Sequence, residues 1–178
     1  AALMSPEERA RQSIDRLVTA AGWAVQDFMG ADLHATRGVA LREFELNPGH
    51  GTADYLLYVD GRAAGVIEAK KQGATLTGVE VQSDRYAQGL PATLPAWRRP
   101  LPFLYESTGL ETHFTNALDP EPRARIVFAF HRPETLADWL GAGEGLGVVP
   151  APDKGTRGQA PAGTQRLSNA VAPAQAGA

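Results

Sequence analysis

One stretch decides the fold, GTADYLLYVDGRAAGVIEAKK, which covers residues 51–71. It predicts two strands, at residues 53–59 and 63–70, joined by a tight turn. The turn is Asp60-Gly61, and this dipeptide between two apolar runs is the strongest short-range signal for a β-hairpin. An antiparallel hairpin places the start of its first strand beside the end of its second. Residues at those two positions are therefore expected to lie together at one end of a sheet.

Three charged residues occupy these positions. Asp54 opens the first strand, and Glu68 and Lys70 close the second. Side chains alternate along a strand, so Glu68 and Lys70 share a face while Ala69 points away. Two carboxylates and an ammonium group that converge at a sheet end are the components of a divalent-metal site with a lysine aimed at the reacting water. The alternative is that these residues are polar strand ends in solvent.

Length and composition limit the other possibilities. A chain of 178 residues with 43% hydrophobic residues allows one ordinary domain with a real core and a tail. The chain contains no cysteine, which excludes disulfides and cysteine metal sites and suits a cytoplasmic location. No apolar run approaches the length of a membrane span. The net charge of −3 argues against strong DNA binding by this chain alone.

Helical patterns flank the hairpin. The first helix is predicted over residues 6–21, with Ser5 as its cap and Glu8 completing a capping box. The carboxylates of this helix, Asp15 among them, are expected to face solvent. A second capped helix is predicted over residues 78–88. Further strands are predicted at 39–46, 103–106, 112–115 and 125–130, and a last short helix at 133–140.

Other residues are candidates for supporting roles. Glu43, in the strand before the hairpin, is placed to add a carboxylate to the site, and the alternative is a surface salt bridge with Arg42 or another group. Gln82 and Tyr86 are four residues apart and so are neighbours on the second helix. Arg98 and Arg99, two adjacent arginines in a proline-rich segment, are the best local candidates for phosphate contact.

Several other chemistries are not supported by motifs. The chain has no G-x-x-x-x-G-K-[ST] motif for nucleotide hydrolysis and no G-x-S-x-G nucleophile elbow. Its four histidines are scattered without metal-ligand spacing. Carboxylate ligands favour a hard ion such as Mg²⁺ or Mn²⁺.

The Asp54, Glu68 and Lys70 pattern resembles the PD-(D/E)xK nuclease superfamily, with Ala53 in place of the motif's proline. More specifically, the chain resembles the N-terminal nuclease domain of the restriction (R) subunit of type I restriction-modification enzymes. The similar stretches cover nearly all of residues 9–140. They are AGWAVQD, GVALREFEL, GTADYLLYVDGRAAGVIEAKKQGATLTGVEVQS, LPFLYESTGLETHFTN and VFAFHRPETLADWL.

The resemblance implies an α/β fold with a restriction-endonuclease-like αβββαβ core, in which helices flank a central mixed sheet. It implies that Asp54 and Glu68 hold Mg²⁺ or Mn²⁺, with the Ala69 carbonyl as a further ligand. Lys70 would orient or activate the attacking water. Gln82 and Tyr86 match the Q-x-x-x-Y motif of this group and would be auxiliary. The substrate would be double-stranded DNA.

The resemblance also implies parts that lie outside this sequence. In the family an ATP-driven translocase follows the nuclease domain, and modification and specificity subunits complete the complex. Here residues 1–140 are expected to form the nuclease domain. Residues 141–178 are expected to be a disordered tail, because 21 of these 38 residues are Gly, Pro or Ala. The sequence therefore resembles a truncated R subunit, and a non-catalytic DNA-binding or assembly module and an inactive fragment remain alternatives.

Overall fold

Seven strands form one mixed sheet, in the same order as they occur along the chain. The computed structural model describes residues 3–76 and 85–145. The elements are α1 (Pro6–Ala20), β1 (Ala24–Asp27), β2 (Gly38–Glu45), β3 (Thr52–Val59), β4 (Arg62–Ala69), β5 (Phe103–Ser107), β6 (Thr112–Asn116), β7 (Arg125–Val127) and α2 (Pro133–Gly145). Residues 85–88 are also helical.

The sheet combines both kinds of strand pairing. β1 pairs with β2 and β4 with β5 in parallel, and the other four neighbouring pairs are antiparallel. β3 and β4 form the predicted hairpin. Asp60 and Gly61 in its turn have φ angles of 49° and 76°, as a type I′ turn requires of both central residues. The predicted hairpin and the predicted α/β class with a central mixed sheet are both confirmed.

Two hydrophobic cores cover the two faces of the sheet. On β3, Tyr55 and Leu57 point into the first core, whereas Leu56 and Tyr58 point into the second. The first core is closed by buried residues of the two helices, namely Ile14 and Val18 of α1 and Leu136 and Leu140 of α2. The second core is closed by the buried residues Ala87, Leu90 and Leu101. Because both faces are covered, β3 and β4 consist almost entirely of buried residues.

The start of α1 is fixed by local hydrogen bonds. The backbone N–H of Glu8 donates to Ser5 Oγ at 3.1 Å, and the backbone N–H of Ser5 donates to Glu8 Oε2 at 2.7 Å. This is the predicted capping box, and Pro6 occupies the first helical position as predicted. The helix begins at Pro6 and ends at Ala20.

Two predicted boundaries are wrong. The strand predicted at 125–130 ends at Val127, because β7 is an edge strand and the chain then turns so that Phe130 enters the first core. The helix predicted to end at Leu140 continues to Gly145. Glycine costs only about 1 kcal/mol relative to alanine in a helix, and α2 is anchored on the core through Leu136 and Leu140.

Some predictions fall outside the described residues. Of the helix predicted over 78–88, residues 85–88 are helical, and the part that includes Gln82 is not described. The predicted tail lies beyond residue 145 for most of its length, so the domain boundary at 140 stays a prediction. No helix within the described ranges is long and apolar enough to cross a bilayer.

We expect Ile67→Ala on β4 to destabilise the domain by about 2–5 kcal/mol, because Ile67 is fully buried and truncation leaves a cavity. Ile126→Ala on β7 is the matched control. Its side chain is 63% exposed, so the same truncation should change the free energy of unfolding by about 0.5 kcal/mol or less. Urea unfolding measures both variants. Equal effects would contradict the assignment of β4 to the sheet centre and β7 to its edge.

Candidate active site

The pairing of β3 with β4 sets the position of the predicted carboxylates. The register pairs Tyr55 with Ile67, so the next positions outward are Asp54 and Glu68. Asp54 Oδ2 accepts a hydrogen bond from the backbone N–H of Ala69 at 2.9 Å. This bond ties the start of β3 to the end of β4. The structure thus brings together the two carboxylates that the hairpin pattern placed at one end of the sheet.

Lys70 lies beside the carboxylates. Its Nζ is 2.9 Å from Glu68 Oε1. The Glu68 side chain is only 4% exposed, whereas that of Lys70 is 29% exposed, so the lysine lies between a buried carboxylate and solvent. The backbone N–H of Lys70 donates to the carbonyl of Ser107 at 2.8 Å, which fixes the residue to the end of β5. All three predicted catalytic residues are therefore held by the ends of three neighbouring strands.

Glu68 is the most perturbed carboxyl group for which a shift is resolved. Burial raises its pKa, the hydrogen bond from Lys70 lowers it, and the negative charge of Asp54 raises it, and together these effects bring the pKa to about 7. Its second oxygen, Oε2, is buried and has no hydrogen-bond partner among the described residues. A buried carboxylate oxygen without a donor is costly. A bound cation could interact with Glu68 Oε2 and offset this cost.

Arg11 of α1 contacts the other side of the site. Its Nη2 donates to Asp54 Oδ1 at 2.9 Å, and its Nη1 donates to Glu43 Oε1 at 2.6 Å. Partial burial lowers the pKa of Arg11, but the attraction of Asp54 and Glu43 outweighs this and raises that pKa above its ordinary value. The guanidinium group therefore bridges two carboxylates. The salt bridge of Glu43 is with Arg11, and not with Arg42.

An irregular pair in the sheet turns Glu43 and Asp54 toward α1. Tyr55 packs in the first core, yet Ala53, two residues earlier, packs in the second, so the usual alternation breaks at Asp54. On β2, Phe44 pairs with Ala53, which leaves Glu43 opposite Asp54. Glu43 has a φ of 51°, a left-handed conformation that is uncommon for glutamate. The irregularity is what allows both carboxylates to reach Arg11.

A second network fixes α1 on the sheet near the site. Arg42 Nη2 donates to Asp15 Oδ2 at 2.7 Å, and Arg42 Nη1 donates to Asp27 Oδ1 at 3.1 Å. The Tyr55 hydroxyl donates to Asp15 Oδ1 at 2.7 Å. The prediction that Asp15 faces solvent is therefore wrong. A carboxylate one turn after Arg11 binds the sheet instead, and it holds α1 where Arg11 can reach Asp54.

The remaining predicted residues lie in other settings. Tyr86 is half-buried, and its ring lies against Gly51 in the loop before β3, 3.5 Å from where a Cβ would be. Gln82 is outside the described residues. Arg99 donates hydrogen bonds to the carbonyls of Leu90, Pro91 and Leu94, so its guanidinium organises its own loop. Phosphate contact by Arg98 or Arg99 stays a prediction.

The donor atoms suit a hard divalent cation. Asp54 and Glu68 supply carboxylate oxygens, and the orphaned Glu68 Oε2 is one that a cation would satisfy. No group of three or more His, Cys, Asp or Glu side chains within the described residues is arranged to hold a metal. A cation bound here would thus need further oxygens, such as the Ala69 carbonyl or water, to complete its coordination.

Comparison with known proteins identifies the family. The family model described as "Type I restriction enzyme EcoKI endonuclease subunit second domain" matches residues 27–140. The chain belongs to the endonuclease (R) subunit family of type I restriction enzymes. No curated protein matches the sequence.

The fold of this R-subunit domain has a counterpart among solved structures. It is similar to a fragment of a protein described as an HsdR subunit of a type I restriction enzyme from Vibrio vulnificus YJ016, with a TM-score of 0.58 and 20% sequence identity. The match covers 82% of this chain and 27% of that chain. At this identity the likeness concerns the fold, and it agrees with a restriction-endonuclease-like arrangement of strands and helices.

Sequence reasoning missed two residues beside the candidate site, Arg11 and Glu106. Arg11 precedes the buried Ile14 by three residues, so it lies along the buried face of α1, and this spacing is the only local signal. Glu106 pairs with Glu68 in the parallel β4–β5 ladder and is 1% exposed. The sequence feature that could have identified Glu106 is a carboxylate that follows three apolar or aromatic residues in the same strand. Acidic residues are almost never fully buried unless they are paired.

The raised pKa of Glu68 predicts how the metal-free domain responds to pH. The folded state binds this proton more tightly than the unfolded state, whose carboxyl pKa is near 4.5. Stability is therefore greatest at or below about pH 4.5 as far as Glu68 is concerned, and it is lost as the pH rises through about 7. The shift corresponds to about 3 kcal/mol.

Urea unfolding in EDTA between these pH values measures the effect. Glu68→Gln should remove the loss of stability that Glu68 causes as the pH rises, because glutamine does not titrate. Glu45→Gln, which changes an exposed carboxylate on β2, should leave it unchanged. Equal profiles for the parent and Glu68→Gln would contradict the assignment, because the half-buried His131, whose pKa is lowered by burial, contributes in the same way to both proteins.

Proposed function

We propose that this R-subunit domain hydrolyses phosphodiester bonds of double-stranded DNA with the help of Mg²⁺ or Mn²⁺. Asp54 and Glu68 would hold the cation together with the Ala69 carbonyl, and Lys70 would act on the attacking water. One observation carries the proposal. In a chain of the type I endonuclease family, Asp54, Glu68 and Lys70 meet at the end of the β3–β4 hairpin, with Lys70 Nζ 2.9 Å from Glu68.

The chemistry follows from charge. Attack on a phosphodiester gathers negative charge on the phosphoryl oxygens, and groups already held in place stabilise that charge at little reorganisation cost. A divalent cation bound at these carboxylates would supply positive charge to the phosphoryl group and lower the pKa of a bound water. Lys70 adds a second positive charge beside Glu68, and its backbone is fixed to β5.

Lys70 is placed to act on the attacking water. Its side chain forms a hydrogen-bonded pair with Glu68, whose pKa in the metal-free domain is about 7. A cation bound at Glu68 would favour the ionised carboxylate, which would keep the Lys70 ammonium group beside it. Lys70, which is more exposed than Glu68, is the member of the pair that a water molecule can reach.

The proposed setting is that of the restriction complex. We infer that the domain acts in the cytoplasm on foreign double-stranded DNA, as one part of a type I enzyme with modification and specificity subunits. ATP would be needed only by the motor part of the subunit. Gln82 and Tyr86 would support the site or the DNA backbone near it, and Tyr86 lies against the loop that leads into Asp54.

The metal site can be tested without relying on cleavage, which in this family requires other parts. Binding of Mg²⁺ to the folded state stabilises it, by about 1.4 kcal/mol when the cation is present at about ten times its Kd. We expect the parent domain to melt a few degrees higher in Mg²⁺ than in EDTA. Asp54→Asn should lose this shift. The asparagine carbonyl can still accept the hydrogen bond from Ala69 N–H, so the fold should be kept.

Two further variants separate the roles. Lys70→Ala should keep the Mg²⁺ shift, because lysine is not a metal ligand. It should lose any nicking of plasmid DNA that the parent shows, because the group acting on the attacking water is then absent. Asp60→Asn is the matched control, because Asp60 lies in the hairpin turn and asparagine tolerates its positive φ. It should behave as the parent does. If the parent shows no Mg²⁺ shift yet binds DNA, the domain is a binding or assembly module and the nuclease proposal is wrong.

A further inference from the structure

Arg11 covers the outer oxygen of Asp54. Asp54 Oδ2 accepts a hydrogen bond from the backbone N–H of Ala69, whereas Oδ1 has no backbone partner among the hydrogen bonds of the described residues. Arg11 Nη2 donates to that same Oδ1 at 2.9 Å. A metal ion and a guanidinium group cannot share one carboxylate oxygen at full strength, because they repel each other at such short range.

Glu43 gives Arg11 a second attachment. Arg11 Nη1 is 2.6 Å from Glu43 Oε1, and the side chains of Arg11 and Glu43 are 48% and 63% exposed. If Arg11 leaves Asp54, its guanidinium group can stay anchored at Glu43. The Asp54 side chain, by contrast, is only 14% exposed. The two contacts of Arg11 are thus unequal, one with the buried candidate ligand and one with a solvated carboxylate.

Space for this movement lies beside the site. A cavity of about 130 Å³ is lined by Arg11, Asp15, Arg42, Glu43, Asp54 and Tyr55. The base of Arg11 is firmly held, because the neighbouring turn of α1 is bonded to β2 and β3 through Asp15. Movement is therefore confined to the long side chain, and the helix need not shift.

We propose that Arg11 is an exchangeable counter-ion of the candidate metal site, which leaves Asp54 when a divalent cation binds and then faces a DNA phosphate. A phosphate offers the guanidinium fork the same paired oxygens as a carboxylate does. The exchange links the two ligands. Cation binding releases Arg11 from Asp54, and the released group strengthens DNA binding. This inference rests on the proposed function, because it takes Asp54 as a metal ligand.

The first test is Mn²⁺ binding, measured by titration calorimetry and by the paramagnetic resonance signal of the unbound ion. Arg11→Ala should bind Mn²⁺ about three- to tenfold more tightly than the parent, the size expected when a half-exposed ion pair and one positive charge are removed. Arg11→Gln should do the same and preserves more of the packing. Arg16→Ala is the control, because it removes an exposed arginine from the same helix that is bonded to Ser13. It should match the parent.

The second test is DNA binding, measured by fluorescence anisotropy with a short labelled duplex. In EDTA, Arg11→Ala and Arg16→Ala should bind DNA equally, because Arg11 is then held by Asp54 and Glu43. In Mn²⁺, Arg11→Ala should bind DNA about ten- to hundredfold more weakly than Arg16→Ala, which is the loss expected for one hydrogen bond to a charged group. Opposite effects on the two ligands cannot come from a merely structural arginine, whose loss would weaken both.

Each outcome decides. Unchanged or weaker Mn²⁺ binding by both Arg11 variants overturns the inference, and if the parent then binds Mn²⁺ while Asp54→Asn does not, the proposed function stands. If neither the parent nor any Arg11 variant binds Mn²⁺, the proposed function fails as well. If Arg11→Ala binds Mn²⁺ more tightly than the parent but binds DNA in Mn²⁺ as well as Arg16→Ala does, the contact of Arg11 with a DNA phosphate is overturned. Binding of Mn²⁺ by Arg11→Ala but not by the parent supports the exchange in its strongest form.

Discussion

The antiparallel pairing of β3 with β4 is the constraint on which the rest of the structure depends. It sets Asp54 opposite Glu68, and it places both at the end of a strand pair that is buried on its two faces. A carboxylate at the end of such a strand loses most of its water. The same pairing that builds the core therefore places two partly or fully desolvated carboxylates next to each other, which is electrostatically unfavourable. Lys70 and Arg11 are the cations that offset this repulsion.

The two carboxylates differ in how well their oxygens are hydrogen-bonded. Asp54 accepts hydrogen bonds at both oxygens, from Ala69 N–H and from Arg11. Glu68 has one oxygen paired with Lys70 and one buried oxygen without a partner in the described part of the chain. The pKa of Glu68 is raised chiefly by burial. Destabilising arrangements of this kind are common at functional sites, where stability is sacrificed for chemistry.

The sequence predicts correctly those parts of the fold that depend on a few neighbouring residues. The hairpin turn at Asp60 and Gly61 is local, and its geometry fixes the register that joins Asp54 to Glu68. Arg11 could not be found in this way, because it meets Asp54, 43 residues later, only after α1 has docked on the sheet. The position of α1 depends in turn on the bonds of Asp15 with Arg42 and Tyr55. The helical pattern alone does not predict them, because it assigns Asp15 to the solvent-facing side. The extent of β7 failed for a similar reason, because burial of Phe130 in the core ends the strand.

Charge balance connects the two cations to the proposed chemistry. Asp54, Glu68 and Glu43 can carry three negative charges, and Arg11 and Lys70 carry two positive charges within hydrogen-bonding distance of them. A divalent cation added to this set would make the site positive unless a cation moved away or an anion arrived. Lys70 is tied to the more deeply buried carboxylate, so Arg11 is the one that can leave at the lower cost in free energy. A DNA phosphate is an anion of the right charge to complete the balance. On this reasoning the site favours cation and DNA together over either one alone.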